Sequence, residues 1–123
     1  MLGLPLSVRI YFATEPVDMR NGIDGLCALV KGTIEKDVYE GHLFVFVGKS
    51  KNRVKVLFWD HGGFVVYMKR LERGRFQMPK RDARRAHIVL EASELAMLLD
   101  GIDLSARRLS RWTPRGIDKR SEI

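Results

Sequence analysis

Lysine and arginine side chains recur in four short clusters in the second part of this chain of 123 residues. Arginine, which outnumbers lysine after residue 69, presents a planar fork of N–H donors that matches two oxygens of one phosphate. Repeated basic clusters are typical of proteins that contact a nucleic-acid backbone. The residues that we expect to contact nucleic acid are Lys49, Lys51, Arg53, Lys69, Arg70, Arg73, Arg75, Arg81, Arg84, Arg85, Arg107, Arg108 and Arg111.

The net charge of +7 is spread unevenly along the chain. Residues 1–48 carry four basic and six acidic side chains, a balance of −2, whereas residues 49–123 carry eighteen and nine, a balance of +9. This asymmetry indicates a polyanionic partner. Because no basic amphipathic helix is evident, we expect that partner to be DNA and not a membrane.

Other side chains are weak candidates for catalysis. A metal-dependent nuclease needs two or three carboxylates at one divalent ion, and Asp18, Asp24 and Asp60 are the available candidates. Asp24, however, suits the first turn of a helix, and Asp60 suits a hairpin turn. The three histidines have unrelated local contexts, and Cys27 falls on the apolar stripe of a predicted helix. We therefore predict no catalytic residue, no metal site and no cofactor, and we interpret the protein as not an enzyme.

Three runs of β-branched and aromatic residues must position the basic clusters. The runs are Leu43–Val47, Val54–Trp59 and Phe64–Met68, and the gaps between them carry turn residues. This spacing predicts an antiparallel meander. Leu43–Val47 is apolar at every position, which is typical of a central strand covered on both faces. We expect Trp59 to anchor this scaffold.

The flanking segments complete an α+β fold. Ser7–Ala13 and His87–Leu90 are predicted strands. A short helix is expected to start at Ser93 or just before it and to end before Gly101 at C′. A longer helix is expected to end near Asp37. Its apolar stripe is Ile23, Leu26, Cys27, Val30 and Ile34, and Asn21 is its predicted N-cap. The result is a mainly antiparallel sheet of four or five strands, with one packed helix and a short C-terminal helix.

The predicted organisation is a single domain over residues 1–104 and a basic, mobile tail over residues 105–123. The segment from Lys80 to His87 is interpreted as a mobile connector. No apolar run approaches the length of a membrane span, and the N-terminus lacks the pattern of a signal peptide. A single cysteine suits a reducing compartment, so we expect the protein in the cytoplasm.

Three segments, TEPVDMRNGIDGL, GHLFVFVGKSKNRVKVLFWD and YMKRLERGRF, occur in this order. Together they resemble the TnpB accessory proteins, the second open reading frame products of IS66-type insertion sequences, from about Val8 to Asp103. The resemblance implies a small bacterial protein that works in transposition alongside a larger transposase and a second small accessory protein. It supplies no catalytic residues.

The signature of that family corresponds here to Asp18, Arg20, Gly22, Asp24, Gly25, Trp59, Asp60, Gly74 and Phe76. Asp18 with Arg20 is interpreted as a buried ion pair or a cap that fixes the connector. The aromatic signature residues Phe46, Trp59 and Phe76 are interpreted as core. Three hypotheses for function remain open from the sequence. They are a non-catalytic transposition factor that binds DNA, the transposase or both; a protein–protein adaptor without DNA contact; and a metal-dependent nuclease.

Overall fold

The computed structural model describes residues 7–79 and 84–101, which form an α+β fold as predicted. The predicted tail and residues 80–83 of the predicted connector lie outside the described residues, and with them Arg81, Arg107, Arg108 and Arg111. The strands and helices, in chain order, are β1 (Ile10–Ala13), α1 (Ile23–Leu29), a π-helical continuation (Val30–Ile34), β2 (Leu43–Val47), β3 (Arg53–Asp60), β4 (Gly63–Arg70), β5 (His87–Leu90) and α2 (Ala92–Leu99).

The strands form one mixed sheet in the order β4-β3-β2-β1-β5. Strands β2, β3 and β4 pair antiparallel, which confirms the predicted meander. Strand β5 pairs antiparallel with β1, whereas β1 and β2 are parallel. A parallel pair cannot be joined by a tight turn, so the chain between β1 and β2 crosses over through α1.

Both faces of the sheet are covered, which explains why every residue of β2 is buried. One face packs against α1 and its π-helical continuation, where Leu26, Val30 and Ile34 meet Phe44 and Phe46. The other face packs against α2 and the irregular segment 71–79. Its core residues include Val45, Val56, Phe76, Leu95 and Leu98.

The two ends of the α1 segment differ from the prediction. The helix begins after Gly22, and Asn21 is not its N-cap, because the Asn21 side-chain amide donates instead to the Asp18 carbonyl at 2.9 Å. That side chain lies so close to α1 that a Cβ at Gly25 would overlap its amide oxygen. The π-helical turn ends earlier than Asp37, since the Glu35 N–H donates to the Val30 carbonyl and Glu35 turns left-handed with φ of 60°.

Helix α2 is capped at both ends. Glu91 and Glu94 form a reciprocal capping box, which satisfies backbone N–H groups that the first turn leaves unpaired. Gly101 adopts φ of 79°, and its N–H donates to the Leu98 carbonyl. This confirms the predicted C′ glycine, since an L side chain is disfavoured in that conformation.

Candidate nucleic-acid interface

The topology brings several basic clusters to one end of the sheet. Strands β1, β2 and β4 finish at this end, and β3 and β5 begin there. We call it the basic end. Its described basic residues are Arg20, Lys49, Lys51, Arg53, Arg70, Arg73, Arg75, Arg84 and Arg85.

Two of the predicted clusters lie side by side. The Leu71 N–H donates to the Asn52 carbonyl at 2.7 Å, and the Phe76 N–H donates to the Lys51 carbonyl at 2.6 Å. These bonds join the loop between β2 and β3 to the segment that follows β4. The basic residues of both segments therefore share one surface.

Phe76 fixes this surface to the fold. Its side chain is 1% exposed within the core, and Leu71 and Met78 pack against the same core from the same irregular segment. Gly74, with φ of 77°, makes the turn between these contacts. Arg73 and Arg75, which lie between Leu71 and Phe76, are exposed. The buried ring of Phe76 thus holds the segment on the sheet, and the two arginines of that segment remain at the surface.

Arg53 and Arg70 are direct cross-strand partners at the start of the β3–β4 ladder. Like charges directly opposite each other destabilise a sheet. The Glu72 carboxylate accepts two hydrogen bonds from Arg70, at 2.9 and 3.1 Å, and offsets part of this repulsion. A bound anion would offset the rest.

The charge at the basic end is not balanced by nearby acids. The described acidic residues there are Glu15, Asp18, Glu72 and Asp100, four against nine basic side chains. At the opposite end, Arg9 is outnumbered by Glu40, Asp60 and Glu91. Among the residues that flank the strands, the excess of positive charge therefore lies at the basic end.

Two lysines near this surface are bound to backbone carbonyls. The Lys55 ammonium donates to the carbonyls of Met19 and Asn21, both at 2.8 Å, and so ties the connector after β1 to β3. The Lys69 ammonium donates to the Leu99 carbonyl at 2.6 Å, at the C-terminus of α2 where a cation is favourable. Lys69 was predicted to contact nucleic acid, and this contact gives it a structural role.

Arg84 and Arg85 come to the basic end beside the residue after β1. The Thr14 N–H donates to the Ala86 carbonyl, and the Thr14 hydroxyl donates to the Arg85 carbonyl at 2.5 Å. Both arginine residues are exposed.

Asp18 and Arg20 form an ion pair, which was one of the two predictions for these signature residues. The pair is not buried, contrary to that prediction. The Arg20 side chain is 91% exposed, and its Nη2 lies 2.7 Å from Asp18 Oδ2. Asp18 also accepts the Arg20 backbone N–H. Hydrogen bonds from the Arg20 side chain and backbone hold the pKa of the Asp18 carboxyl far below its usual range. Because the two residues are only two positions apart, the pair stabilises a local turn within the connector that leads to α1.

The aromatic signature residues divide between core and surface. Phe46 and Phe76 are buried, which confirms their predicted place in the core. Trp59 is only half-buried, so its predicted role as the core anchor is wrong. Its ring contacts Phe64 at 4.9 Å and Tyr39 at 5.1 Å between centroids. Tyr39 is 61% exposed, so this aromatic group reaches the surface.

The carboxylates needed for a nuclease do not converge. Asp18 follows Val17, which pairs with Gly48 at the basic end, whereas Asp60 ends the eight-residue strand β3 at the far end. At roughly 3.3 Å per residue, the two carboxyl-bearing backbones are separated by about 20 Å. Within the described residues, no three His, Cys, Asp or Glu side chains could hold one metal ion.

Two histidines meet at one tyrosine, which the sequence analysis missed. His42 and His87 both lie edge-on to Tyr11, with ring centroids 5.6 and 5.3 Å away. Burial lowers the pKa of His87, and the charges of Lys36 and Arg85 lower it further. Side chains alternate between the two faces of a strand, so Tyr11 must lie on the face opposite Ile10 and Phe12. This alternation was the signal that could have placed Tyr11 on the helix-covered face.

Cys27, on α1, is half-buried. Burial raises the pKa of its thiol, and the negative charge of Asp24 raises it further.

A cavity of about 400 Å³ opens at the basic end between the connector and the π-helical turn. Apolar side chains, among them Pro16 and Phe46, form much of its lining, and Asp18, Thr33 and Lys49 supply polar groups. The lining combines two carboxylates, those of Glu15 and Asp18, with the single ammonium group of Lys49, and so it does not favour phosphate.

The family model for IS66 Orf2-like proteins matches residues 8–109. The chain belongs to this family. Two uncharacterized proteins of Sinorhizobium fredii, y4jC and y4hO, are each 38% identical to it over 103 residues. These alignments cover 84% of this chain and 86% and 88% of the relatives. No solved structure matches the chain. No helix in the described part is long and apolar enough to cross a membrane.

Proposed function

We propose that this member of the IS66 Orf2-like family is a non-catalytic accessory protein of transposition that binds DNA through the basic end. The observation that carries the proposal is the backbone pairing of the loop around Lys51 with the segment around Phe76. This pairing gathers Lys49, Lys51, Arg53, Arg70, Arg73 and Arg75 on one surface.

The surface suits the DNA backbone better than a base edge. Its cations come from a loop and an irregular segment at the ends of strands, and no described helix presents them for insertion into the major groove. Phosphate contacts of this kind position a protein without reading sequence. We therefore expect binding with little discrimination between the ends of the insertion sequence and random duplex DNA. Arg81, Arg107, Arg108 and Arg111 remain predicted contacts on the same grounds of charge.

A fluorescence anisotropy titration against both kinds of duplex, at several salt concentrations, tests the proposal. If six phosphates are neutralised, the slope of log affinity against log salt is about −5. The variant R73Q/R75Q should weaken binding and reduce the magnitude of that slope by about 2, because it removes two phosphate contacts. Its melting temperature should stay near that of the wild type, since both side chains are exposed.

The matched control is R9Q/K31Q, which removes the same charge from two exposed positions outside the basic end. It should leave the salt slope nearly unchanged. Absence of binding to either duplex at low salt would refute the DNA interaction. An equal effect of the two double variants would show that net charge, and not the basic end, drives binding.

A second candidate function is an adaptor that contacts the transposase without touching DNA. The aromatic group of Tyr39, Trp59 and Phe64 favours it, because the group reaches the surface at Tyr39 and lies at the end of β3 away from the basic end. The adaptor predicts co-purification with the transposase of the same insertion sequence that persists after nuclease treatment. Dissociation on nuclease treatment would instead assign the association to shared DNA.

A further inference from the structure

The outer edge of β4 is long and unprotected. This strand has eight residues and no partner on its outer side within the described residues, whereas the other edge strand, β5, has only four. Natural proteins protect long edges with proline, a bulge or a central charge. The residues from Gly63 to Met68 contain none of these, and their register with β3 is continuous.

The hydrogen-bond pattern identifies which backbone groups point outward. The Leu71 N–H donates to the Asn52 carbonyl, so the pair of residues 52 and 71 is hydrogen-bonded. Antiparallel pairs alternate, so Gly63, Val65, Tyr67 and Lys69 bond to β3. The N–H and C=O groups of Phe64, Val66, Met68 and Arg70 therefore point away from the sheet.

Exposed apolar side chains surround the same edge. Six large apolar residues are exposed in the described part of the chain, and Val65, Tyr67 and Met68 are three of them. Ile23 begins α1, the helix that contacts β4, and Tyr39 packs on Phe64. Only Val89, on β5, lies elsewhere. An apolar surface beside unpaired strand amides is the pattern of a strand-addition interface.

We propose that β4 pairs antiparallel with β4 of a second copy of this chain, about a two-fold axis that joins two sheets into one. Residues whose backbone N–H and C=O groups point outward must pair with such residues of the second copy. Two registers give the greatest overlap of the strands. In one of them Val66 would lie opposite the partner's Val66, and in the other it would lie opposite the partner's Met68.

Charge complementarity favours a second copy as the occupant. The basic charges of β4, Lys69 and Arg70, are confined to one end, and the turn at its other end follows Asp60. Antiparallel two-fold pairing places the basic end of each β4 beside the β3–β4 turn of the second copy, which follows the partner's Asp60. It also keeps the two arginines apart, and no like charges are opposed.

The pairing determines how the two basic ends are oriented. Because the two β4 strands run in opposite directions, the basic ends of the two copies point in opposite directions along the joined sheet. The dimer rests on the β4 edge alone and would stand even if the basic end bound no DNA.

Sedimentation equilibrium of the full chain tests the dimer, and the expected mass is twice the chain mass of 14.1 kDa. Tyr67→Lys places a charge at the centre of the edge and should yield a monomer. The matched control Val89→Lys changes an exposed apolar residue on the other edge strand and should remain dimeric. Circular dichroism melts establish that each variant is folded, and Met68→Lys replaces Tyr67→Lys if that variant does not fold. A monomeric wild type, or a dimer that persists in the edge variant, would overturn the proposal.

Amide hydrogen exchange tests the geometry. The amides of Phe64, Val66 and Met68 should be protected in the wild type and lose protection in Tyr67→Lys. The amides of Val65 and Tyr67, or of the lysine that replaces it, should stay protected in both, because they bond to β3. Rapid exchange of the outward amides in the wild type would refute the pairing. Protection that persists in a monomer and disappears on deletion of residues 102–123 would assign the edge to the chain's own C-terminus, which also overturns it.

Discussion

Replacing Lys55 by methionine should destabilise the protein much more than the loss of one half-buried lysine on β3 suggests. The Lys55 ammonium donates to two carbonyls of the connector, those of Met19 and Asn21. A hydrogen bond from a charged donor contributes about 1.5–3 kcal/mol, and the lower figure applies because Lys55 is only half-buried. Methionine keeps the apolar stem and removes both bonds. We expect the free energy of unfolding to fall by about 2–3 kcal/mol.

Urea denaturation followed by circular dichroism measures this change, with Lys49→Met as the control. Lys49 is exposed in the adjacent loop, and no described group hydrogen-bonds its side chain. Its replacement should change the free energy of unfolding by less than about 0.5 kcal/mol. The two variants remove the same charge and add the same side chain. Equal stability losses would refute the argument that the connector is held by these two hydrogen bonds.

Three further predictions rest on the burial of two aromatic rings and on the titration of one histidine. Phe76→Ala should cost about 3–5 kcal/mol, because a fully buried ring is lost, and should also weaken DNA binding by releasing the segment that carries Arg73 and Arg75. Trp59→Ala, at a half-buried position, should cost less than Phe76→Ala in the same denaturation assay, and the reverse order would contradict the packing described for the two rings. The pKa of His87 is lowered in the folded state, so below about pH 6.5 the unfolded chain binds a proton that the folded protein does not. Stability should therefore fall as the pH drops through that value, and His87→Gln should flatten the dependence; a variant with the wild-type pH profile would exclude His87 as the cause.

Much of the fold could be predicted because its signals are local. A five-residue apolar run such as Leu43–Val47 is stable only when both faces are covered, and the structure buries all five residues. The turn after Asp60 is set by two residues with positive φ, His61 and Gly62. Gly101 ends α2 for the same conformational reason. The parallel pairing of β1 with β2 was not predicted, because it depends on where α1 returns the chain.

For the candidate surface, the sequence predicted which segments are rich in basic residues but not which side chains are free to bind a partner. The sequence alone determined that Lys49–Arg53 and Lys69–Arg75 are rich in positive charge, since charge is a property of each residue. It could not distinguish Lys55 and Lys69, whose ammonium groups bind carbonyls from distant segments, from arginines that face solvent. It likewise could not show that Trp59 lies half-exposed.

The sequence by itself determined the elements and the excess of positive charge, because apolar periodicity, turn residues and side-chain ionisation act over a few neighbouring residues. Only the tertiary structure decided which cations share a surface. The bond from Phe76 to Lys51 spans 25 residues of chain and forms because the aromatic ring is buried on the sheet. That non-local contact places the two basic clusters side by side, and no local pattern encodes it.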